Sequence, residues 1–462
     1  MADVQLLVIG AGPGGYTAAL RAAKLGLKCA VVEAREAGGA CLNRGCVPTK
    51  TLLHASEAYR AAKEGAAFGI HAEGLRADIG EIFAHKTRVS ETLSSGVESL
   101  LKAAKIPLLR GKGKITAPHT VEITNAAGET SAVTADAILI AVGAAPVLPP
   151  IPGIERALTS DDILESAGQM FSSLAIIGGG VIGIEFACFY AELGCAVTVL
   201  EALDRPLPSL DRELGQNLSL LLKKQGVTIV TNARVQRIEG EPGALRVSYE
   251  AKGAETALAA EAVICAVGRR PCLEGLFAEG LQPETDGPRL QVSERFETSI
   301  PGVYAIGDAA CSVQFAHMAA AQGEAVAEIL AGRQPERDLS LVPSCVHCVP
   351  EIAAVGLSEA EARAAGIPVK TGKCVMGANA RTLILNPGRS FMKLVAHAET
   401  GELLGAQLMC PNASDMISQL SEAIANRMTP RQLLRAMRPH PSFEEALGDA
   451  LSDLASKLNL SF

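Results

Sequence analysis

Residues 5 to 33 read QLLVIGAGPGGYTAALRAAKLGLKCAVVE: an apolar run, a glycine-rich turn, a stretch of helical spacing, and a second apolar run closing on an acid. Short continuous apolar runs bounded by turn signals predict strands buried on both faces, as in a parallel sheet with a helix crossing between them. Residues 173 to 201, SLAIIGGGVIGIEFACFYAELGCAVTVLE, repeat the series, with the same 23-residue step from first glycine to terminal Glu. Each unit has a later echo, ADAILIAVGAAP at 135 to 146 turning at Gly143, and AEAVICAVGRRP at 260 to 271 turning at Gly268. Two Rossmann-like nucleotide-binding units, one following the other, account for this pattern, and the fold class is α/β.

The repeats divide the chain. A first nucleotide-binding domain covers 1–146, and proline-rich VLPPIPG at 147 to 153 leads into a second over 147–270. A central segment at 271–340 follows the second echo, and the pattern then changes to an α+β segment over 341–462. At 462 residues the chain is long enough for several buried cores and too long for one small module.

Composition narrows the partners. The formal net charge is -8, and no run of Lys or Arg forms a phosphate-tracking stripe, so no nucleic-acid partner is expected. The two most apolar stretches are interrupted by Pro, Gly or Glu185, so no membrane span is expected either. The first strand-like run begins almost at Met1, which makes cytoplasm the expected compartment. Trp is absent and aromatics are 3%, so Val, Ile, Leu and Ala must supply most of the core. Twelve cysteines are scattered without a secreted-scaffold spacing, and Cys29, Cys188, Cys195 and Cys265 lie in strand-like or helix-like runs as small apolar core residues.

The glycine turns carry specific chemistry. Gly10, Gly12 and Gly15 form G-x-G-x-x-G directly between a strand and a helix. The first glycine allows a tight turn, the second lets a pyrophosphate approach the backbone, and the third lets the helix pack closely. Glu33 then stands where a ribose hydroxyl would be bound, and Gly178, Gly180, Gly183 and Glu201 repeat the arrangement. One such turn is a weak signal, whereas two in register are not a packing accident. Glu201 would repel a 2′-phosphate, and the residues after it offer only Arg205 as a cation, so the second unit favours NAD over NADP.

Residues 38 to 50, GGACLNRGCVPTK, place Cys41 and Cys46 five apart in a nest of Gly and Pro. A metal site needs about four ligands, and a second close pair exists only at Cys345 and Cys348, with His347 between them. On a regular helix residues five apart have Cα atoms about 8.6 Å apart, while a disulfide wants less than about 7 Å. A bridge therefore requires local distortion, which Gly45 and Pro48 permit, and such a bond suits exchange better than stapling.

The stretch resembles the redox-active signature of the dihydrolipoamide dehydrogenase family, within the pyridine nucleotide-disulfide oxidoreductases, and the resemblance covers essentially the whole chain. It implies FAD on the first glycine turn and NAD on the second, with the central segment completing the FAD-binding region. GVYAIGDAA at 302 to 310 resembles the family's second flavin-contacting motif, with Asp308 toward the ribityl and pyrophosphate region. By the same resemblance Cys46 is the thiol nearest the flavin and forms the charge-transfer thiolate. Cys41 is the interchange thiol that meets substrate, and Lys50 lies near the flavin and pairs with Glu185.

Thiol exchange needs a base, because free cysteine is mostly protonated at neutral pH. Among eight histidines, His440 in RPHPSFEEAL precedes Pro441, which biases it to an extended conformation, and Glu444 and Glu445 follow closely. The segment resembles the family's HPT-x-x-E signature with Ser442 in place of Thr. That resemblance makes His440 the acid-base partner of Cys41, oriented by Glu445 and supplied by the other subunit of a homodimer, with 341–462 as the dimerisation domain. One departure is PSCVHCVPEIAAVG, where the family carries Tyr and Thr or Ser at the positions of His347 and Cys348.

The implied reaction is ping-pong: dihydrolipoamide on the lipoyl domain of a 2-oxo acid dehydrogenase complex or glycine-cleavage carrier reduces the Cys41–Cys46 disulfide. His440 takes the thiol proton, and the electrons pass through FAD to NAD. A glutathione-type reductase is expected to carry basic residues where Glu201 stands, and a mercuric reductase to end with a cysteine pair, absent from SDLASKLNLSF. A non-catalytic flavin-binding subunit is expected to have lost a redox Cys, Lys50 or the His-Glu pair.

Overall fold

The two glycine units fold as near copies of each other in the computed structural model, which describes residues 2–458; residues 459–462, the end of SDLASKLNLSF, lie outside the described residues. Strand β1 (Val4–Ile9), helix α1 (Pro13–Lys24) and strand β2 (Cys29–Glu33) form the first unit. Pro13 opens α1, where its missing N–H costs nothing, and Gly26, at φ +90°, follows its end. The redox stretch follows as two helices, α2 (Gly39–Arg44) and α3 (Cys46–Lys63). β1 lies parallel to β2 and to β3 (Thr130–Ile140), with Leu7 opposite both Ala30 and Ile138. Strand Val303–Ala305, from the central segment, pairs parallel with β3 and so joins this first sheet.

In the second unit, β4 (Ser173–Ile177), α4 (Val181–Glu192), β5 (Ala196–Glu201) and β6 (Ala262–Cys265) repeat the plan. Their five-stranded sheet is parallel throughout. α4 ends as α1 does, with Gly194 at φ +101°. From Ser344 the chain builds a five-stranded antiparallel sheet that begins at edge strand β7 (Ser344–Val346). Helix Ala413–Ala425 and α6 (Glu444–Lys457) pack on it, and the short helix α5 (Ala380–Leu385) precedes its fourth strand.

The largest apolar cluster lies at the seam of all three regions. Leu52 and Phe83 of the first region meet Phe186, Phe189 and Tyr190 of α4 and Val346 and Cys348 of the C-terminal region. The few aromatic residues are concentrated here, with Phe189 4.9 Å from Tyr190 and 6.3 Å from Phe83, ring centre to ring centre. Each such pair adds roughly 0.5–1.5 kcal/mol beyond area burial. α4 is apolar on nearly every face because it is enclosed on every face, and its side toward α3 fixes the redox helix against the second glycine turn. Cys29, Cys188, Cys195 and Cys265 are all buried. Among the described residues no helix is long and apolar enough to cross a membrane.

Candidate active site

The glycine turns are built alike to within tenths of an ångström. Gly10 and Gly178 both have φ +106°, and a Cβ there would stand 2.4 Å from Ala141 O and 2.6 Å from Ala266 O. At Gly15 and Gly183 a Cβ would fall 1.8 and 2.0 Å from the carbonyl oxygens of Gly10 and Gly178. The middle glycines face open space: nothing lies within 4 Å of a Cβ on Gly180, and only Gly39 Cα at 3.9 Å on Gly12. The terminal acids lock each turn. Glu33 accepts from the N–H groups of Ala11 (2.7 Å) and Arg35 (2.8 Å), and Glu201 from those of Gly179 (2.6 Å) and Leu203 (2.7 Å). Glu201 is buried, not an exposed strand-end charge, and each carboxylate keeps lone pairs for a ribose hydroxyl.

Both turns open on one cleft of about 1440 Å³, beyond the roughly 300–1,000 Å³ of a single-ligand pocket. Gly143, Gly268 and Asp308 line it. Burial pushes the Asp308 carboxyl up, and Arg269 opposes that shift. The cradles therefore fit two dinucleotides by shape: each has an open middle glycine, a helix N-terminus and an acid beyond it.

The redox stretch breaks between its cysteines. α2 ends at Arg44, Gly45 takes φ -149° and ψ -117°, and α3 starts at Cys46. The two thiols thus stand on different helices, which removes the spacing problem of a single regular one. A Cβ on Gly45 would lie 2.9 Å from Ala40 O, so the break requires glycine. Both cysteines are thiols here. Their interaction with each other holds Cys46 below the usual thiol range and Cys41 above it; partial desolvation in the cleft works against the first shift and with the second, although Cys46 keeps an exposed face. Lys50, one turn along α3, further favours the Cys46 thiolate.

Lys50 Nζ lies 2.9 and 2.8 Å from the two carboxylate oxygens of Glu185, whose side chain is 3% exposed. The backbone N–H of His347 donates to the same carboxylate at 3.1 Å. Three regions of the chain therefore meet on Glu185, beside the thiols.

His440 Nδ1 lies 2.9 Å from Glu445 Oε1, and Glu445 Oε2 accepts from Ser442 N–H at 2.9 Å. The imidazole is 73% exposed, and His440 does not line the cleft that holds Cys41. Within one subunit the structure brings together Cys41, Cys46, Lys50 and Glu185, and leaves the His440–Glu445 pair on the surface.

Several residues at the site carry no linear signature. Arg44, between the two cysteines, is buried and reaches Glu36 at 3.0 Å, Glu165 at 3.5 Å and Asp161 at 4.0 Å. Arg269 meets Asp161 at 3.0 Å, so Asp161 lies between Arg44 of the redox stretch and Arg269, which follows the second echo's glycine. Glu192, two turns beyond Glu185, accepts from Ser56 Oγ at 2.5 Å and Arg60 Nε at 3.1 Å, and burial raises its pKa. For Arg44 the one available signal was a charged residue standing between the two cysteines. Cys345 lines the cleft, with burial pushing its thiol up to about 11, and Cys348 is buried with its thiol toward Pro350 O at 3.2 Å. Among the described residues no three His, Cys, Asp or Glu side chains are gathered to hold a metal.

Comparison with known proteins bears on the same residues. A family described as pyridine nucleotide-disulphide oxidoreductase matches residues 4–323, and its dimerisation domain matches 342–451. The chain is 36% identical over 463 residues to a dihydrolipoyl dehydrogenase of Bacillus subtilis (strain 168), covering 97% of each. It is 38% identical over 450 residues to that of Geobacillus stearothermophilus, covering 97% of this chain and 95% of the relative. Among solved structures, LpdA from Mycobacterium tuberculosis superposes with TM-score 0.88 at 27% identity, covering 97% and 99% of the two chains. The HOCl-induced flavoprotein disulfide reductase RclA from Escherichia coli gives 0.85 at 29% identity, with the same coverage.

Proposed function

Because the chain belongs to the pyridine nucleotide-disulphide oxidoreductases, we propose that it oxidises the dithiol of protein-bound dihydrolipoamide to lipoamide and delivers the electrons to NAD. The family's cofactors are FAD and NAD(H), and its C-terminal domain dimerises. The observation that carries the proposal is the Cys41–Cys46 pair, opening with Lys50 and Glu185 on one cleft between two glycine cradles, the second closed by buried Glu201.

In the oxidised enzyme one substrate thiolate attacks Cys41 Sγ, a mixed disulfide forms, and Cys46 leaves as a thiolate. The second substrate thiol then displaces Cys41, closing lipoamide and leaving the protein as a dithiol. His440, oriented by Glu445, accepts the thiol protons, and the partner subunit presents it to Cys41. Lys50, fixed by Glu185, stabilises the Cys46 thiolate. FAD, when bound on the first cradle, supplies the route by which the electron pair reaches NAD on the second. Glu201 excludes a 2′-phosphate by charge.

The partner class is the lipoyl domain of a 2-oxo acid dehydrogenase complex or glycine-cleavage carrier, and the working unit is a homodimer. A cytoplasmic site of action agrees with the ten unpaired cysteines outside the Cys41–Cys46 pair. The test is a steady-state comparison of dihydrolipoamide with NAD against glutathione disulfide with NADPH. Dihydrolipoamide with NAD should win by orders of magnitude, and preference for the other pair overturns the proposal.

A further inference from the structure

The turn that carries His440 is held from two sides. Glu445 binds it through His440 Nδ1 and Ser442 N–H, both at 2.9 Å. On the opposite side Asn379 Nδ2 donates to the Ser442 carbonyl oxygen at 2.9 Å, from 63 residues earlier in the chain. The other end of the Asn379 amide is also committed. Its Oδ1 caps α5, accepting from the Thr382 N–H at 3.0 Å and Thr382 Oγ1 at 3.1 Å.

An amide whose oxygen must face a backbone donor has only its NH₂ left for other partners, so the orientation of Asn379 is determined by its surroundings. Donor and cap together make a rigid strut from the start of α5 to the centre of the His440–Pro441–Ser442 turn. Glu445 alone would hold the ring and the Ser442 N–H against its own helix and leave the carbonyl side of the turn without a side-chain partner. Within one subunit the imidazole is otherwise 73% exposed, so these contacts are what hold it before the partner is met. Proton transfer is sensitive to how the ring is held, since a misplacement of about 1 Å can cost about 10²-fold in rate.

We propose that Asn379 is a positioning residue for His440, acting through the Ser442 carbonyl to aim the imidazole at the substrate dithiol. The inference rests on His440 being the acid-base group for that dithiol. Asn379 does not line the cleft of the thiols and glycine cradles, so its effect falls on dithiol exchange and not on electron transfer from the nicotinamide side.

The experiment uses the full-length holoenzyme with Asn379→Ser and Asn379→Asp. Both replacements are good helix caps, so α5 keeps its start; ionised Asp has no donor, and Ser, with its short hydroxyl at the cap, lacks the amide NH₂ that reaches Ser442 O. Stopped-flow absorbance follows flavin reduction by dihydrolipoamide and, separately, by NADH across pH. In both variants the dithiol half-reaction should fall at least about ten-fold with a displaced pH profile, while the NADH half-reaction stays within about two-fold. A dithiol rate within about two-fold of wild type in both variants overturns the proposal. Parallel loss of both half-reactions also overturns it, since that marks a role in the fold. If dihydrolipoamide fails to reduce the wild-type flavin, the proposed function fails instead, and dithiothreitol as reductant then reads Asn379 independently.

Discussion

Lys50 stands on α3 and Glu185 on α4, and the ammonium of one lies 2.8 Å from the carboxylate of the other. Glu185 is buried and Lys50 one-third exposed, so the pair is asymmetric: the lysine can rehydrate, the glutamate cannot. Removing the lysine strands a buried charge, and breaking such a pair costs about 3–5 kcal/mol. Lys50→Ala should lower unfolding stability by roughly 3 kcal/mol, the low end because the His347 N–H remains bonded to Glu185. Glu185→Gln should cost less, since it leaves the charge on the more exposed partner. Urea unfolding of both variants checks this, and equal effects would show that Glu185 is not desolvated.

The thiol pair predicts a pH dependence for the reduced protein. The interaction with Cys41, then Lys50, depresses Cys46, so its contribution is fully present above the unfolded thiol value of about 8.5. That contribution is lost as pH falls through the folded value. Cys41 shifts the other way, through the same interaction and burial, and favours the fold below about 8.5. In the window between, the pair shares one proton. The stability lead of the dithiol protein over its Cys46→Ser variant should therefore shrink steadily on acidification from about pH 8.5. Thermal melts of both at a series of pH values test it, and a flat difference would contradict the depressed Cys46.

His440 and Glu445 should separate the two half-reactions. His440→Ala should slow dihydrolipoamide-driven turnover by about 10²–10⁴-fold, the usual worth of a general acid-base group. Glu445→Gln should slow it less, because Ser442 N–H and His440 keep an acceptor there. Reduction of ferricyanide by NADH, which needs no thiol proton transfer, should survive in both. Its loss in His440→Ala would remove His440 from the dithiol side.

Much of this arrangement was legible along the chain because it is local. Gly10, Gly12, Gly15 and Glu33 are read from one strand-turn-helix-strand unit, and the second unit repeats them at the same spacing. The break at Gly45 is local too, and geometry alone required a distortion between Cys41 and Cys46. The contacts that fix the site are distant: Lys50 and Glu185 are 135 residues apart, and Ser56 and Glu192 are 136 apart. Periodicity reports which face of a helix is buried, not which helix it meets, so the pairing of α3 with α4 came from resemblance for Glu185 and not at all for Glu192. The His347 contact was hidden for another reason. It uses a backbone N–H, which no side-chain departure at that position reveals.

The two thiols have separable duties. Cys46→Ser should lack the long-wavelength absorption in every redox state, while Cys41→Ser, whose Cys46 thiolate is free, should show it before any reductant is added and lose dithiol turnover. Titration with NADH, read by visible absorbance, distinguishes them. Retention of the band in Cys46→Ser would reverse the assignment.

The paired glycines allow each cofactor to be assigned to its cradle with one methyl group. A Cβ at position 15 would stand 1.8 Å from Gly10 O, and one at position 183 would stand 2.0 Å from Gly178 O, so neither turn can keep its shape. Overpacking of this kind costs about 1–3 kcal/mol, enough to lower affinity for a ligand held by that turn by about 5- to 150-fold. Gly15→Ala should purify with depleted flavin, because its cradle is the one proposed above to hold FAD. Gly183→Ala should purify with full flavin and bind NADH weakly, as read by quenching of flavin fluorescence. Because the two distortions differ by only tenths of an ångström, general instability would affect both variants alike. Opposite cofactor losses can arise only if the two cradles hold different dinucleotides, and flavin loss in Gly183→Ala with retention in Gly15→Ala would exchange the assignments.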